Sequence, residues 1–273
     1  MTNAIRIDES LCTRCGICSE VCPNDVIQPA EKNTFPAIQP GKEGRCISCN
    51  HCEAFCPTGA LTRGSPVDTN AASPKGAASI DPDLLTSFLK NRRSIRVYRT
   101  EPVDRETIAR ILDIARYAAS GGNGQPVEWL VMSGKDEIQK AAGLTIDWMR
   151  TQLQSSHPLA AYFPAYIANW DMGIDMICRD APNLIISNIP GDNPMAVTDA
   201  IIALTYVDIT APAFGVGTCW AGLLTRALRE YWPLQEMVGL PERQVVGYAM
   251  MAGYPAYQPV RIPGRKPLRV TWR

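Results

Sequence analysis

Histidine is nearly absent from this chain, with only His51 and His157 among 273 residues, so no catalytic acid or base stands out by residue type. Excess charge is absent as well. Lys plus Arg and Asp plus Glu balance at 27 each, which leaves no basic field for nucleic acid. The opening MTNAIRIDESLC lacks a basic segment followed by an apolar one, and no uninterrupted apolar run reaches the ~18 to 20 residues of a membrane span. Neither secretion nor a membrane is expected, and the expected location is the cytoplasm. Also missing are G-x-G-x-x-G and the P-loop. The nearest glycine cluster, SGGNGQP at 120–126, follows a helical pattern rather than a strand, so a conventional nucleotide-binding fold is not expected. The chain does have 46% hydrophobic and 20% charged residues, enough for a packed core in one large domain or in a large and a small one.

Cysteine is present and concentrated. Eight of the ten cysteines fall in two runs, CTRCGICSEVCP at 12–23 and CISCNHCEAFCP at 46–57, and both read C-x2-C-x2-C-x3-C-P. In a reducing cytosol, clustered cysteines are metal ligands or redox groups more often than disulfides. Zinc takes its ligands as two separated C-x2-C pairs, which would leave the third and fourth cysteines of each run without a role. The spacing suits a cubane better: three thiolates two residues apart let a loop wrap one corner, and a fourth leaves on the following helical turn. Residues 1–63 thus resemble a bacterial two-cluster ferredoxin. In that family the fourth cysteine of each run serves the other cluster. The resemblance therefore implies Cys12, Cys15, Cys18 and Cys56 for one 4Fe-4S cluster, and Cys46, Cys49, Cys52 and Cys22 for the second. His51, between ligands, reads as a solvated surface residue.

The Pro-, Gly-, Ser- and Ala-rich stretch after Arg63 has no periodicity and reads as a linker over 64–82. The remaining residues, 83–273, far exceed what an electron carrier needs. Their pattern predicts a short helix from Asp83 and a second helix capped by Asp104, with Ile108, Ile111, Leu112 and Ala115 on one face. Strands are expected at 128–133, 184–187 and 244–254. A run apolar on most sides, 199–217, suits a helix in a core or across a dimer interface. The mixture is α+β.

In NRRSIRVY, Arg92, Arg93, Ser94 and Arg96 fall within five residues. Guanidinium groups bind phosphate oxygens bidentately, and alternation along an extended segment puts Arg92, Ser94 and Arg96 on one face. Alone, a solvated basic patch explains them as well. Their order with SGGNGQP and a strand, then GVGTCWAG, then a strand and GYPAYQPVRIPGRKPL, resembles the FMN-dependent nitroreductase family over 83–273. The resemblance implies a nitroreductase-like sheet with surrounding helices. It also implies that Arg92, Arg93, Ser94 and Arg96 contact the FMN phosphate and ribityl chain. Asn123 and Gln125 match its N-x-Q-P loop, where an amide supplies donor and acceptor to the flavin pyrimidine edge; an ordinary Gly/Asn turn is the plainer reading. Backbone N–H groups of Ala221 and Gly222 correspond to those near flavin N5. Arg265 and Lys266 match a C-terminal phosphate pair, with Arg261 the neighbouring candidate. Cys178 and Cys219 read as small buried hydrophobes.

The whole resembles a ferredoxin–nitroreductase fusion. It implies that electrons from reduced ferredoxin, or another low-potential donor, pass through two 4Fe-4S clusters to FMN and on to a small organic acceptor such as a nitro compound or quinone. An ene reductase, or an electron-transfer or redox-sensing protein acting on a protein partner, remains open. A homodimer is expected from the family. The region 144–179 carries Trp148, Tyr162, Phe163, Tyr166 and Trp170, an aromatic lid or part of the core. No catalytic residue is assigned; water or a tyrosine would protonate the product.

Overall fold

The computed structural model describes residues 5–31, 34–64 and 80–273. The expected linker lies outside the described residues except at its two ends. The chain divides into two compact units. The first is Met1–Ser79 with Gly122–Gly124, and the second is Ile80–Gly121 with Gln125–Arg273.

In the first unit, β1 (Arg6–Ile7) pairs antiparallel with β4 (Leu61–Thr62), and β2 (Ile27–Gln28) with β3 (Ala37–Ile38). Between the ladders sit two one-turn helices, α1 (Ile17–Glu20) and α2 (His51–Ala54). The cysteine runs fold alike because their backbones bend at the same places. Arg14 and Gly16 in the first run, and Ser48 and Asn50 in the second, all take left-handed φ values of 58°, 82°, 54° and 59°. Flanking the second cysteine of each run, these reversals curl the loop around its sulfurs, and the third cysteine then enters the short helix. Among the described residues little apolar material is buried: Ile27, Cys52 and Leu61 form the core, with Ile5, Ile7, Cys18, Cys22 and Cys56 packed on them.

The second unit is built on a four-stranded antiparallel sheet. Its strands are β5 (Glu128–Ser133), β6 (Asn183–Pro190), β7 (Gly217–Trp220) and β8 (Gln244–Gly253), in the order β5-β6-β8-β7. The central strand β6 is covered on both faces, so its sequence reads as a continuous apolar run rather than an alternation. Leu184 and Ile186 belong to one core and Ile185 to another. The first core takes α5 (Lys135–Thr151), α6 (Phe163–Asp171), α8 (Gly222–Glu230) and α9 (Trp232–Val238). The second takes α4 (Arg105–Ala115) and α7 (Ala196–Thr210). Ahead of these lies α3 (Pro82–Asn91), started by Asp81, whose carboxylate accepts from the Asp83 and Leu84 amides. Asp104 caps α4 as the sequence indicates, accepting the Thr107 N–H at 2.8 Å.

A β-bulge between Ser187 and Asn188 leaves Gly247 of β8 as the extra residue. A Cβ there would lie 2.6 Å from Ala200 Cβ and 2.8 Å from Ser187 Oγ, so the bulge seats α7 close against the sheet. The Arg229 guanidinium on α8 donates to the Val246 and Gly247 carbonyls that the bulge frees.

Two expectations change. The run 199–217 is not one helix to its end: α7 passes into a 3-10 turn at Ala211–Phe214, where Pro212 and then Gly215 at φ 73° stop it, and β7 begins at Gly217. In addition, Ala196–Phe214 reaches the length and mean hydropathy, 1.3, of a membrane-crossing helix. It packs instead against β6, β8 and α4, and carries two buried aspartates, Asp199 and Asp208.

Candidate functional site

The eight clustered cysteines separate into two sets of four around two cavities of the first unit. Cys12, Cys15, Cys18 and Cys56 line one, with Thr13, Arg14 and Pro57; Cys22, Cys46, Cys49 and Cys52 line the other, with Asn24, His51 and Arg63. Each cavity takes three cysteines from one run and the fourth from the other. Among the described residues, no three His, Cys, Asp or Glu side chains converge as ligands of a single ion. Four sulfurs ring each cavity, which is the donor set of a 4Fe-4S cage, and the residues present fit it. Burial pushes the Cys52 thiol up to about 11, against the pull of the Arg63 charge. Positive charge beside the sulfur favours its ionised form, and bound iron would supply it.

In the second unit, Arg92 and Arg93 line a cavity of about 290 Å³ with Phe88, Gly217, Pro255 and Gln258. The segment bearing them is held extended along β7: Ser94 pairs in parallel with Thr218, and the Ile95 amide donates to Thr218 O at 2.9 Å. Ile95 fits because residue 217 is glycine, where a Cβ would fall 2.5 Å from Ile95 Cγ1. Arg92 Nη1 lies 3.4 Å from Asp208 Oδ2. That buried carboxylate also accepts from Thr218 Oγ1 at 2.5 Å and Trp220 Nε1 at 3.2 Å. Arg96 is exposed, its guanidinium donating to Ser94 O at 3.3 Å.

The other residues singled out by sequence are more dispersed. Asn123 and Gln125 hold left-handed φ of 55° and 46°. Asn123 groups with the first unit. Gln125 lines a separate cavity of about 180 Å³ with Ser120, Trp129 and Asp199. Asp199 fixes this loop by accepting the Gly121 amide at 2.9 Å. Of the two residues whose amides were expected near flavin N5, Ala221 donates its N–H to Ala249 O at 2.9 Å and Gly222 is the first residue of α8. Tyr248 OH would lie 3.1 Å from a Cβ on Gly222, and the Tyr248 ring meets Trp220 edge-on at 5.0 Å. Arg261, Arg265 and Lys266 are exposed in the C-terminal segment and do not line the Arg92 cavity. The expected aromatic set is mostly core: Trp148 and Phe163 are fully buried, Tyr166 and Trp170 pack against them, and only Tyr162 is strongly exposed. His157 meets the Trp148 ring edge-on at 5.4 Å and the Phe163 ring at a tilt at 5.3 Å, and its Nδ1 accepts the Leu159 amide, which is a structural role. Cys178 and Cys219 are buried, and burial raises both thiols.

Asp208 is the residue that sequence reasoning passed over. An aspartate in the apolar stretch that follows Asp199 was the available signal, since a buried carboxylate persists only with donors around it.

Residues 89–254 match the nitroreductase family, and the chain belongs to it. Residues 11–61 match a 4Fe-4S dicluster domain, so the fusion expected from sequence is present. A "Putative NADH dehydrogenase/NAD(P)H nitroreductase" of Archaeoglobus fulgidus is 32% identical over 168 residues, covering 62% of this chain and 83% of that protein. Among solved structures, a nitroreductase with bound FMN from Desulfitobacterium hafniense superposes with a TM-score of 0.56 at 18% identity, over 69% of this chain and 97% of that one. Another, from Bacteroides fragilis, gives 0.53 at 18% identity, over 68% and 94%. At that identity the two structures establish the nitroreductase fold.

Proposed function

We propose that this protein is an FMN-dependent oxidoreductase that receives electrons through two 4Fe-4S clusters and delivers them to a small organic acceptor. The observation that carries the reading is the sorting of eight cysteines into two crossed sets of four, in a chain whose larger part belongs to the nitroreductase family. When bound, the clusters supply single-electron transfer and the flavin couples it to two-electron reduction. Cys12, Cys15, Cys18 and Cys56 hold one cluster, and Cys22, Cys46, Cys49 and Cys52 the other.

Arg92 and Arg93, with Ser94 and Arg96, bind the flavin phosphate and ribityl chain. Asp208 fixes the direction of Arg92. Gly222 offers a backbone donor at the start of α8, where helix amides are unpaired. Asn123 and Gln125 serve the pyrimidine edge, and Arg265 and Lys266 complete the phosphate site. Neither the 290 Å³ cavity nor the 180 Å³ cavity reaches the middle of the roughly 300–1,000 Å³ range of small-molecule sites. Two partial sites of this kind favour a homodimer in which a second copy completes each one. The electron donor is a reduced ferredoxin or an equivalent low-potential carrier, because a fused dicluster domain is redundant where hydride arrives directly. The acceptor is a nitro compound, a quinone or a similar electrophile, and the protein acts in the cytoplasm.

The test is metal and flavin analysis of anaerobically purified protein, followed by visible spectra on adding NADH and then dithionite. About eight iron atoms per chain, releasable FMN, and bleaching by dithionite but not by NADH are expected. Zinc in place of iron, or an absence of flavin, would overturn the reading. Bleaching by NADH would overturn the choice of donor alone.

A further inference from the structure

We propose that Arg63 makes the two cluster sites unequal, setting the site of Cys22, Cys46, Cys49 and Cys52 at the higher reduction potential, so that an electron entering the pair comes to rest there. This rests on the reading that the eight cysteines hold two 4Fe-4S clusters.

Arg63 follows β4 and lines the second cavity. Its guanidinium donates through Nη1 to Cys46 Sγ and through Nη2 to Ser48 Oγ at 3.2 Å, so it is fastened to the loop carrying the ligands. Its backbone N–H is held by Glu53 Oε2 at 3.0 Å, on α2 between Cys52 and Cys56. The same ligand set receives a backbone donor, Val26 N–H to Cys22 Sγ at 3.3 Å.

The internal repeat supplies the comparison. Arg63 stands seven residues after the fourth cysteine of its run, and seven residues after Cys22 stands Pro29, which has neither charge nor N–H. The first site takes backbone donors as well, from Thr58, Ala60 and Leu61 to Cys56, and the Thr58 hydroxyl lies 3.8 Å from Cys56 Sγ. Its own arginine, Arg14, lines that cavity with its guanidinium over the Phe35 ring, 4.4 Å from the centroid.

Reduction adds a negative charge to a cluster, and a cation touching a ligand sulfur favours that added charge. Solvent acts in the opposite direction, because Cys15 of the first set is exposed while Cys52 of the second is buried. The contact charge outweighs this difference. Water screens the first site at a distance, whereas no solvent layer separates the guanidinium from Cys46.

The experiment is an anaerobic redox titration of the full chain, followed by electron paramagnetic resonance, for the wild type, Arg63→Gln and Glu53→Gln. Two resolved one-electron steps are expected in the wild type. Arg63→Gln, which removes the charge, should move the higher step to lower potential. Glu53→Gln, which removes a negative charge beside the same set and keeps an acceptor for the Arg63 amide, should move that step the opposite way. A single unresolved wild-type step, movement of the lower step instead, or no movement in either variant would overturn the proposal. Should Arg63→Gln fail to retain iron, the sign of the Glu53→Gln shift decides. A wild-type protein without about eight iron atoms would instead overturn the cluster reading on which this stands.

Discussion

Arg92 serves two partners that compete for one charge. Asp208, 3.4 Å away, holds its guanidinium, while the cavity it lines is where phosphate is proposed to bind. A carboxylate that also takes the Thr218 and Trp220 donors does not neutralise Arg92 fully, because its negative charge is shared among three bonds. Arg96, exposed and donating to Ser94 O, is the more available cation. Replacing Arg92 and Arg96 together with alanine should therefore weaken FMN binding by at least about tenfold, since hydrogen bonds to charged groups contribute about 1.5–3 kcal/mol each. Iron content should stay as in the wild type. Fluorescence titration of flavin and metal analysis on one preparation check both halves, and unchanged flavin affinity would remove these arginines from the site.

Between elements, the same aspartate ties α7 to β7. Thr218 and Trp220 both point at Asp208, so the strand that carries the Arg92 segment is fastened to the central helix through one carboxylate. Asp208→Asn removes the charge and turns one acceptor into a donor facing other donors. Breaking a buried charged group away from its partners costs about 3–5 kcal/mol, and the half-buried Arg92 brings the expectation to the lower end. Urea unfolding of the two proteins measures it, and equal midpoints would show that Asp208 does not join these elements. Much of this architecture was legible in sequence. The α4 cap at Asp104, strand β5 and the doubly covered β6 follow from local pattern, because each depends on neighbours within a few residues. Strand β7 was not legible. Four residues, Gly217–Trp220, are too short to show a period, and they pair only because β8 and Ser94 lie beside them. The grouping of Trp148, Phe163 and His157 was likewise invisible, since it depends on how α5 meets α6.

For the whole molecule, the two units differ in what holds them together. The second has two apolar cores on either side of its sheet, whereas among the described residues of the first little is buried beyond Val26, Ile27, Cys52, Ala60 and Leu61. A segment of ~60 residues with so small a core does not fold on apolar burial alone, and natural domains of that size add metal or disulfides. Here the sulfurs themselves complete the core, since Cys18, Cys22 and Cys56 pack on Ile27 and Leu61. If the eight cysteines hold the clusters as proposed, ligation and folding of this unit are one event, since the thiols meet around the cavities only when the loops are closed. Removing iron anaerobically with a chelator and reductant should leave residues 5–64 open to protease. The second unit should survive as a resistant fragment that still binds FMN. Limited proteolysis before and after iron removal, with mass spectrometry of the fragments, decides the point. Protection of the N-terminal segment in iron-free protein would mean that apolar contacts alone hold it.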